Sequence, residues 1–207
     1  MYGLEQDTIG GFNGMLERQK QQDGEVIVTT VLFDSEYELI HDRIPLEAVR
    51  PMNRNDYTVG GCTALLDAIG RTIQKIGTVQ QRMGDEHRAE KVIFVIITDG
   101  MENASREYSY QHIRMMIERE KEEYGWEFIF LCANIDAVTE AAKIGIRSNR
   151  AVTYCNDHEG VALNYETVAE TVGMMRSAPC MADIGSEWKE NIEKDRKKRE
   201  RKVFRKK

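Results

Sequence analysis

The apolar residues of this chain recur with two different periods, and each period indicates a different kind of element. Residues 91–97 and 126–133 are almost continuously apolar over the length of a strand, which is typical of parallel strands buried on both faces. Residues 25–33 are rich in β-branched side chains and residues 37–42 alternate apolar and polar. These two segments predict an antiparallel hairpin whose second strand is half exposed. A short strand is predicted at 151–154.

Between these strands, apolar residues lie three and four positions apart, which is the period of an amphipathic helix. This spacing predicts helices at 4–20, 64–83, 108–124, 136–144 and 161–176. Strands and helices therefore alternate after the hairpin, as in an α/β fold with a doubly wound, mostly parallel sheet and an antiparallel edge hairpin. Such sheets bind ligands outside the carboxyl ends of their parallel strands.

The composition is that of a soluble globular protein. Of the 207 residues, 41% are apolar and 31% are charged, which is enough material for a real core. No apolar run approaches the ~18 residues of a membrane span, and the sequence shows no secretory signal. The four cysteines are widely spaced and form no CxxC pair, so we expect reduced thiols and a cytoplasmic protein.

The net charge of −6 is unevenly distributed. Residues 1–186 carry 18 Lys and Arg against 30 Asp and Glu, whereas residues 187–207 carry 11 against 5. We therefore predict one domain at 1–178 and a basic tail at 179–207. The tail is interpreted as a solvated charged helix, or as a docking segment for a nucleic acid, an anionic lipid surface or an acidic partner. Attraction of the tail to the acidic part of the same chain, screened by salt, is a further alternative.

Two loops carry oxygen donors that suit a hard divalent cation. Asp99 follows the apolar run at 91–97, so its carboxylate is expected at the ligand-binding edge, where it either ligates a metal or caps a turn. Thr63 precedes the helix at 64–83, where it is either the N-cap or a hydroxyl ligand for Mg²⁺. The two glycine-rich motifs that bind phosphate groups, G-x-x-x-x-G-K-[ST] and G-x-G-x-x-G, are absent from the sequence. These loops therefore do not indicate nucleotide binding.

Other polar groups favour structural roles. Residues 34–36 (Asp-Ser-Glu) are predicted to form the hairpin turn. The four histidines form no i,i+4 pair and are predicted at the surface. Cys62 lies beside the candidate site and is either an ordinary thiol or a reactive one at a helix N-terminus, with no histidine partner evident.

Taken together, these segments resemble a von Willebrand factor type A (vWA) domain. Residues 60–69 read Gly-Gly-Cys-Thr-Ala-Leu-Leu-Asp-Ala-Ile, and residues 94–103 read Phe-Val-Ile-Ile-Thr-Asp-Gly-Met-Glu-Asn. The likeness is to the bacterial cytoplasmic branch close to tellurium-resistance and YegL-like proteins. It extends over residues 2–177, with further matches at Phe33-Asp34 and at 130–136, and leaves the tail outside.

The resemblance implies a Rossmann-like sheet and a metal-ion-dependent adhesion site for Mg²⁺ or Mn²⁺. Thr63 and Asp99 match two of the metal ligands of that site. A partner protein is expected to supply an Asp or Glu to the metal. The residues expected to contact that partner are Gly61, Cys62, Asn134 and Asp136.

In this family, three more ligands come from an Asp-x-Ser-x-Ser loop after the first strand, which is central in the sheet. Only Met1 of this sequence matches the end of that motif, so the first central strand is expected to be missing. We therefore expect Met1 to be an internal methionine, with the natural start about 10–20 residues upstream, enough for one strand and a loop. We also expect these 207 residues to bind Mg²⁺ weakly or not at all.

Three functions remain open at this point. The first is a metal-dependent protein-binding module, which needs no nucleophile, general base or cofactor loop. The second is a metal-dependent hydrolase in which Asp34, Asp99 and Asp136 hold the metal and a bound water attacks. The third is a scaffold that works without metal. Because no acid–base pair is recognisable, we expect a binding protein and not an enzyme.

Overall fold

The computed structural model describes residues 2–178 and 184–204. Within that part of the chain, the structure contains six helices and five strands. The strands are β1 (Ile27–Phe33), β2 (Tyr37–Pro45), β3 (Ile93–Thr98), β4 (Glu127–Ala133) and β5 (Ala151–Tyr154). The helices are α1 (Glu5–Lys20), α2 (Leu65–Arg82), α3 (Tyr110–Tyr124), α4 (Ala137–Lys143), α5 (His158–Ser177) and α6 (Glu190–Phe204).

The described strands form two sheets. β1 and β2 pair in antiparallel fashion, and β3, β4 and β5 form a parallel sheet in that order. The predicted mixed α/β class and the antiparallel hairpin are therefore confirmed. The expected doubly wound sheet with an edge hairpin is found only in part, because β1 and β3 are not hydrogen-bonded to each other.

The predicted elements are present, with shifted ends where local chemistry decides. α5 begins three residues before the predicted 161 because the Asp157 carboxylate caps it, accepting from the Gly160 N–H at 2.9 Å. β2 extends beyond the predicted residue 42 to Pro45. Arg43 takes a left-handed conformation there, with φ of 52°, beside the register shifts between β1 and β2. The periodicity of the apolar side chains indicates neither the helix cap at Asp157 nor the left-handed conformation of Arg43.

β4 is the centre of the parallel sheet and of the core. Every residue from Phe128 to Ala133 is at most 2% exposed. Phe128, Phe130 and Cys132 pack under α2 and α3, and the alternate residues of β4 pack under α1 and α5. A strand covered on both faces is why residues 126–133 read as a continuous apolar run. Burial also raises the pKa of the Cys132 thiol to about 12, so this cysteine is an inert core residue.

The basic segment is attached to this core along one side of α6. Trp188 and Ile192 are 7% and 2% exposed and lie in the cluster formed by β5 and α5. The Trp188 indole N–H donates to the carbonyl of Asn149 at 2.7 Å. Arg199 pairs with Asp157, which caps α5, and with Glu159 in the first turn of α5. The solvated-helix interpretation therefore does not describe this side of α6.

His41 corrects the prediction that the histidines lie at the surface. It is 3% exposed, stacks on Phe12, and places Nδ1 3.0 Å from the Thr30 hydroxyl and Nε2 3.1 Å from the carbonyl of Arg50. Burial lowers its pKa and outweighs the hydrogen bond to Arg50, so the ring is held neutral. Among the described residues, no helix is both long enough and apolar enough to cross a bilayer.

Candidate functional site

Three loops meet beyond the carboxyl ends of β1 and β3. The main-chain N–H of Ala64 donates to the carbonyl of Asp34 at 2.6 Å, which joins the loop before α2 to the end of β1. Gly60 lies so close to the Asp34 carboxylate that any side chain at position 60 would overlap it. Gly100, just after β3, is packed in the same way against the Thr63 hydroxyl. The fold therefore brings Thr63 next to the Asp99-Gly100 turn.

The main chain of Thr63 is held on both sides by one residue of the β3 loop. Its N–H donates to Oδ1 of Asn103 at 2.9 Å, and its carbonyl accepts from the N–H of Asn103 at 3.1 Å. α2 begins at Leu65, and the N-cap position is taken by Ala64 without a side-chain cap. The N-cap role that the sequence offered for Thr63 is therefore wrong, and its half-buried hydroxyl is not used for capping.

The first turn of α2 is instead capped by the loop after β3. Glu102 Oε2 accepts from the N–H of Leu66 at 2.9 Å, and the Ser105 hydroxyl accepts from the N–H of Asp67 at 3.1 Å. The other oxygen of Glu102 accepts from the N–H groups of Ala104 and Ser105 at 3.0 and 2.8 Å. Free N–H groups at a helix start need such acceptors, so this loop is fixed in place by the helix it caps.

Asp67 completes the attachment from the helix side. Its carboxylate accepts from three consecutive main-chain N–H groups, those of Arg106, Glu107 and Tyr108, at 2.8 to 3.0 Å. Burial alone would raise the pKa of Asp67, which is 8% exposed, but the three donors outweigh it and the pKa is lowered. Asp67 is therefore a buried anion that holds the loop carrying Asp99 and Asn103 against α2.

Asp99 occupies a tight turn at the end of β3. The Thr98 hydroxyl donates to the carbonyl of Gly100 at 3.0 Å and lies 3.3 Å from the N–H of Gly100, which closes the turn around Asp99. Asp99 is half-buried, and Thr98 is 5% exposed. The hydrogen bonds between the Thr98 side chain and the main chain of Gly100 therefore fix the position of Asp99 at the sheet edge.

Asp34 has the structural role that the sequence predicted. Its Oδ1 accepts from the N–H of Glu36 at 2.8 Å and its own N–H donates to the carbonyl of Glu36 at 3.1 Å, forming the hairpin turn. Because its carboxylate also faces Gly60, Asp34 adds negative charge beside the loop that carries Thr63.

The four residues predicted to contact a partner lie in loops at this end of the strands. Gly61 and Cys62 are exposed beside Thr63, and Asn134 is exposed after β4 with φ of 60°. Asp136 caps α4, accepting from the N–H groups of Val138 and Thr139 and from the Thr139 hydroxyl. The carboxylate of Asp136 is thus already used within its own helix.

The donor set at this edge is small. Within residues 2–178 and 184–204, no group of three or more His, Cys, Asp or Glu side chains is placed to hold a metal ion. What the loops do provide is one hydroxyl, from Thr63, beside the turn that carries the carboxylate of Asp99. Oxygen donors of this kind suit Mg²⁺ and Mn²⁺, not soft metals.

Sequence reasoning missed Asp67, Glu102, Asn103 and Ser105. Their contacts join residues 36 to 41 positions apart, so no local pattern reveals them. The sequence indicates only indirectly that another segment caps α2, because Ala64, at the N-cap position, has no side chain that can accept a hydrogen bond. No protein-family model matches this chain, and comparisons with curated proteins and with solved structures found no match.

Proposed function

We propose that this chain is a protein-binding module of the vWA type, in which Mg²⁺ or Mn²⁺ at Thr63 and Asp99 recruits an acidic side chain of a partner protein. The observation that carries the proposal is the packing of the Thr63 hydroxyl against the Asp99-Gly100 turn at the carboxyl edge of the strands. That edge is where open α/β sheets bind their ligands.

The residues present fit such an ion in chemistry, although they supply few donors. Mg²⁺ prefers about six oxygen ligands and usually keeps several waters, so one hydroxyl and one carboxylate leave room for water and for an exogenous carboxylate. The absence of a side chain on Gly100 keeps the space beside the Thr63 hydroxyl open. A bound cation would supply the positive charge that a partner carboxylate needs in a loop region bordered by Asp34.

The protein's own contribution is preorganisation. Asn103 fixes the main chain of Thr63, and Asp67 and Glu102 fix the loop that carries Asp99. Exposed residues around the site, Gly61, Cys62 and Met101, would contact the partner's surface; Met101 is 59% exposed. Nothing in the described residues favours the hydrolase alternative, since Asp136 caps α4 and Asp34 closes the hairpin turn.

The proposal is tested by Mn²⁺ titration of the full chain, followed by electron paramagnetic resonance of the free ion. We expect weak binding, with a Kd of about 1 mM, because a site with few charged ligands is a low-affinity site. Acetate, as a probe for the partner's carboxylate, should strengthen the binding. Asp99→Asn and Thr63→Ala should each weaken it at least fivefold.

Matched controls are available on the same chain. Asp85→Asn changes a carboxylate that is 93% exposed beyond the end of α2, and Thr58→Ala changes an exposed threonine close to the site loop. Both should bind Mn²⁺ like the parent protein. Equal binding by Asp99→Asn and the parent, or no binding at about 10 mM Mn²⁺, would contradict the proposal and favour a metal-free scaffold.

A further inference from the structure

A small cavity lies at the amino end of β4, at the opposite end of the parallel sheet from the candidate metal site. Its volume is about 60 Å³. Glu127, the first residue of β4, and Arg150, just before β5, line this cavity. Lys121, in the last turn of α3, and Arg147, between α4 and β5, line it as well. The fold therefore brings charged residues from three separate segments to one cavity.

The carboxylates near this cavity are already paired with arginines. Glu127 accepts from Nε of Arg150 at 2.8 Å, and Arg150 is 7% exposed. Glu118, whose charge acts on Lys121, accepts from Nε of Arg114 at 2.8 Å. These pairs neutralise both carboxylates, so the positive charge of the cavity has to be counted from the other cations.

Two cations at the cavity have no carboxylate partner within the described residues. The Lys121 ammonium donates to a neutral group, the carbonyl of Gly145, at 3.2 Å. Arg147 is exposed, and its guanidinium makes no hydrogen bond or ion pair with the part of the chain that the structure describes. Burial lowers the pKa of Lys121, and the charge of Arg147 lowers it further. The two cations are therefore close enough to repel each other, and an anion between them would relieve that repulsion.

The size and the apolar lining of the cavity favour a compact anion. Phe128 and Ile146, each 2% exposed, also line it. Apolar side chains keep water away from the charges beside them, so an ion pair there is stronger than on an open surface. A volume of about 60 Å³ has room for about four water-sized groups, which is the number of oxygens in a phosphate group.

Asn149 adds a group that distinguishes between anions. It lines the same cavity, and its Oδ1 is buried with no hydrogen-bond partner among the described residues. A buried acceptor without a donor is costly, so a ligand that brings an O–H is favoured. Hydrogen phosphate carries both negative charge and an O–H, whereas sulfate and carboxylates carry only the charge at neutral pH.

We propose that this cavity is a binding site for a phosphate group. Lys121 and Arg147 supply two positive charges, which match the two negative charges of hydrogen phosphate. Arg150 neutralises Glu127, the carboxylate that would otherwise repel the anion. Asn149 accepts the O–H of the phosphate group. The site is separate from the metal site proposed at Thr63 and does not depend on it.

The test is a calorimetric titration of the full chain with inorganic phosphate at pH 7, at constant ionic strength and with EDTA to remove divalent metals. Arg147→Gln and Lys121→Gln should each weaken binding by about tenfold, because each removes a charged donor to the anion. Lys197→Gln removes the same charge from an exposed position of α6 and should bind phosphate like the parent protein. Sulfate should bind at least fivefold more weakly than phosphate, because it brings no proton to Asn149.

Amide signals in nuclear magnetic resonance spectra locate the anion during the same titration. Phosphate should shift the signals of Lys121 and of residues 145–150, and it should leave those of 61–64 and 99–103 unchanged. Shifts centred on 61–64 and 99–103 would place the anion at the other end of the sheet and overturn the proposal. Equal binding by Arg147→Gln and Lys197→Gln, or equal affinities for phosphate and sulfate, would also overturn it.

A second ligand distinguishes two sources of the same chemical group. O-phosphoserine represents a phosphate ester, and inorganic phosphate represents the free ion. Tighter binding of O-phosphoserine would assign the site to a phosphorylated ligand, and tighter binding of inorganic phosphate would assign it to the free ion; both results support a phosphate site. Binding of neither ligand at about 10 mM overturns the proposal.

Discussion

Two carboxylates join the start of α2 to the loop after β3. Asp67, on α2, accepts from main-chain N–H groups of that loop, and Glu102, in the loop, accepts from a main-chain N–H group of α2. This exchange fixes Thr63 and Asp99 relative to each other, although neither carboxylate belongs to the predicted metal site. The sequence predicted Thr63 and Asp99 because both lie at the boundary of a strongly patterned element. It did not predict Asp67 or Glu102, because their partners are defined only by the folded loop.

Replacing Asp67 by Asn tests this residue-scale account. The amide keeps one acceptor but brings an N–H₂ group against buried donors, so we expect the free energy of unfolding to fall by about 2 kcal/mol. Urea denaturation measures the change, with Asp85→Asn as the control because that carboxylate is 93% exposed. If Asp67→Asn and Asp85→Asn unfolded at the same urea concentration, this would show that Asp67 does not hold the loop.

The stabilisation of the folded protein by Asp67 should also depend on pH. Because the pKa of Asp67 is lowered in the folded protein, its stabilisation is complete above the ordinary value of 3.8 and is lost as the pH falls through the folded pKa. The stability difference between the parent and Asp67→Asn should therefore shrink in acid. A difference that grows as the pH falls would contradict the hydrogen-bonded anion.

At the scale of elements, α6 shows how tertiary contacts change the meaning of a charged segment. Its sequence indicated a basic helix, and charge counting alone favoured a solvated one. The structure places Trp188 and Ile192 in the core, and Arg199 against the start of α5. Among the described residues, Trp188, just before α6, and Ile192 are the buried apolar side chains of this attachment, too few for the periodicity of the segment to reveal it. Exposed lysines, Lys197 and Lys198, remain for the predicted acidic or nucleic-acid partner.

Truncating Ile192 measures the attachment of α6. Ile192→Ala removes a side chain that is 2% exposed and should lower the free energy of unfolding by about 3 kcal/mol. Lys198→Ala, on an exposed position of the same helix, should leave it unchanged. Thermal unfolding followed by circular dichroism compares the two. Equal stability of both variants would mean that α6 contributes nothing to the core.

For the molecule as a whole, the sequence predicted the class and nearly every element, since long periodic segments carry that information locally. With the first central strand expected to be missing, two neighbouring strands were also expected to lack a partner between them, and β1 and β3 are unpaired with each other within the described chain. The whole structure is two sheets held together by α1, α2 and the loop that carries Thr63. The proposed metal site lies on that junction, so ion binding and the joining of the two sheets involve the same loop.

The central claim is that a divalent cation binds between Thr63 and Asp99. Nuclear magnetic resonance of the amide groups during a Mn²⁺ titration tests it most directly, because the paramagnetic ion broadens the signals of nearby residues. The account predicts that signals from 61–64 and 99–103 lose intensity first and that, in Asp99→Asn, the same loss needs at least five times as much Mn²⁺. Broadening centred on other carboxylates, or the same broadening in Asp99→Asn, would contradict it.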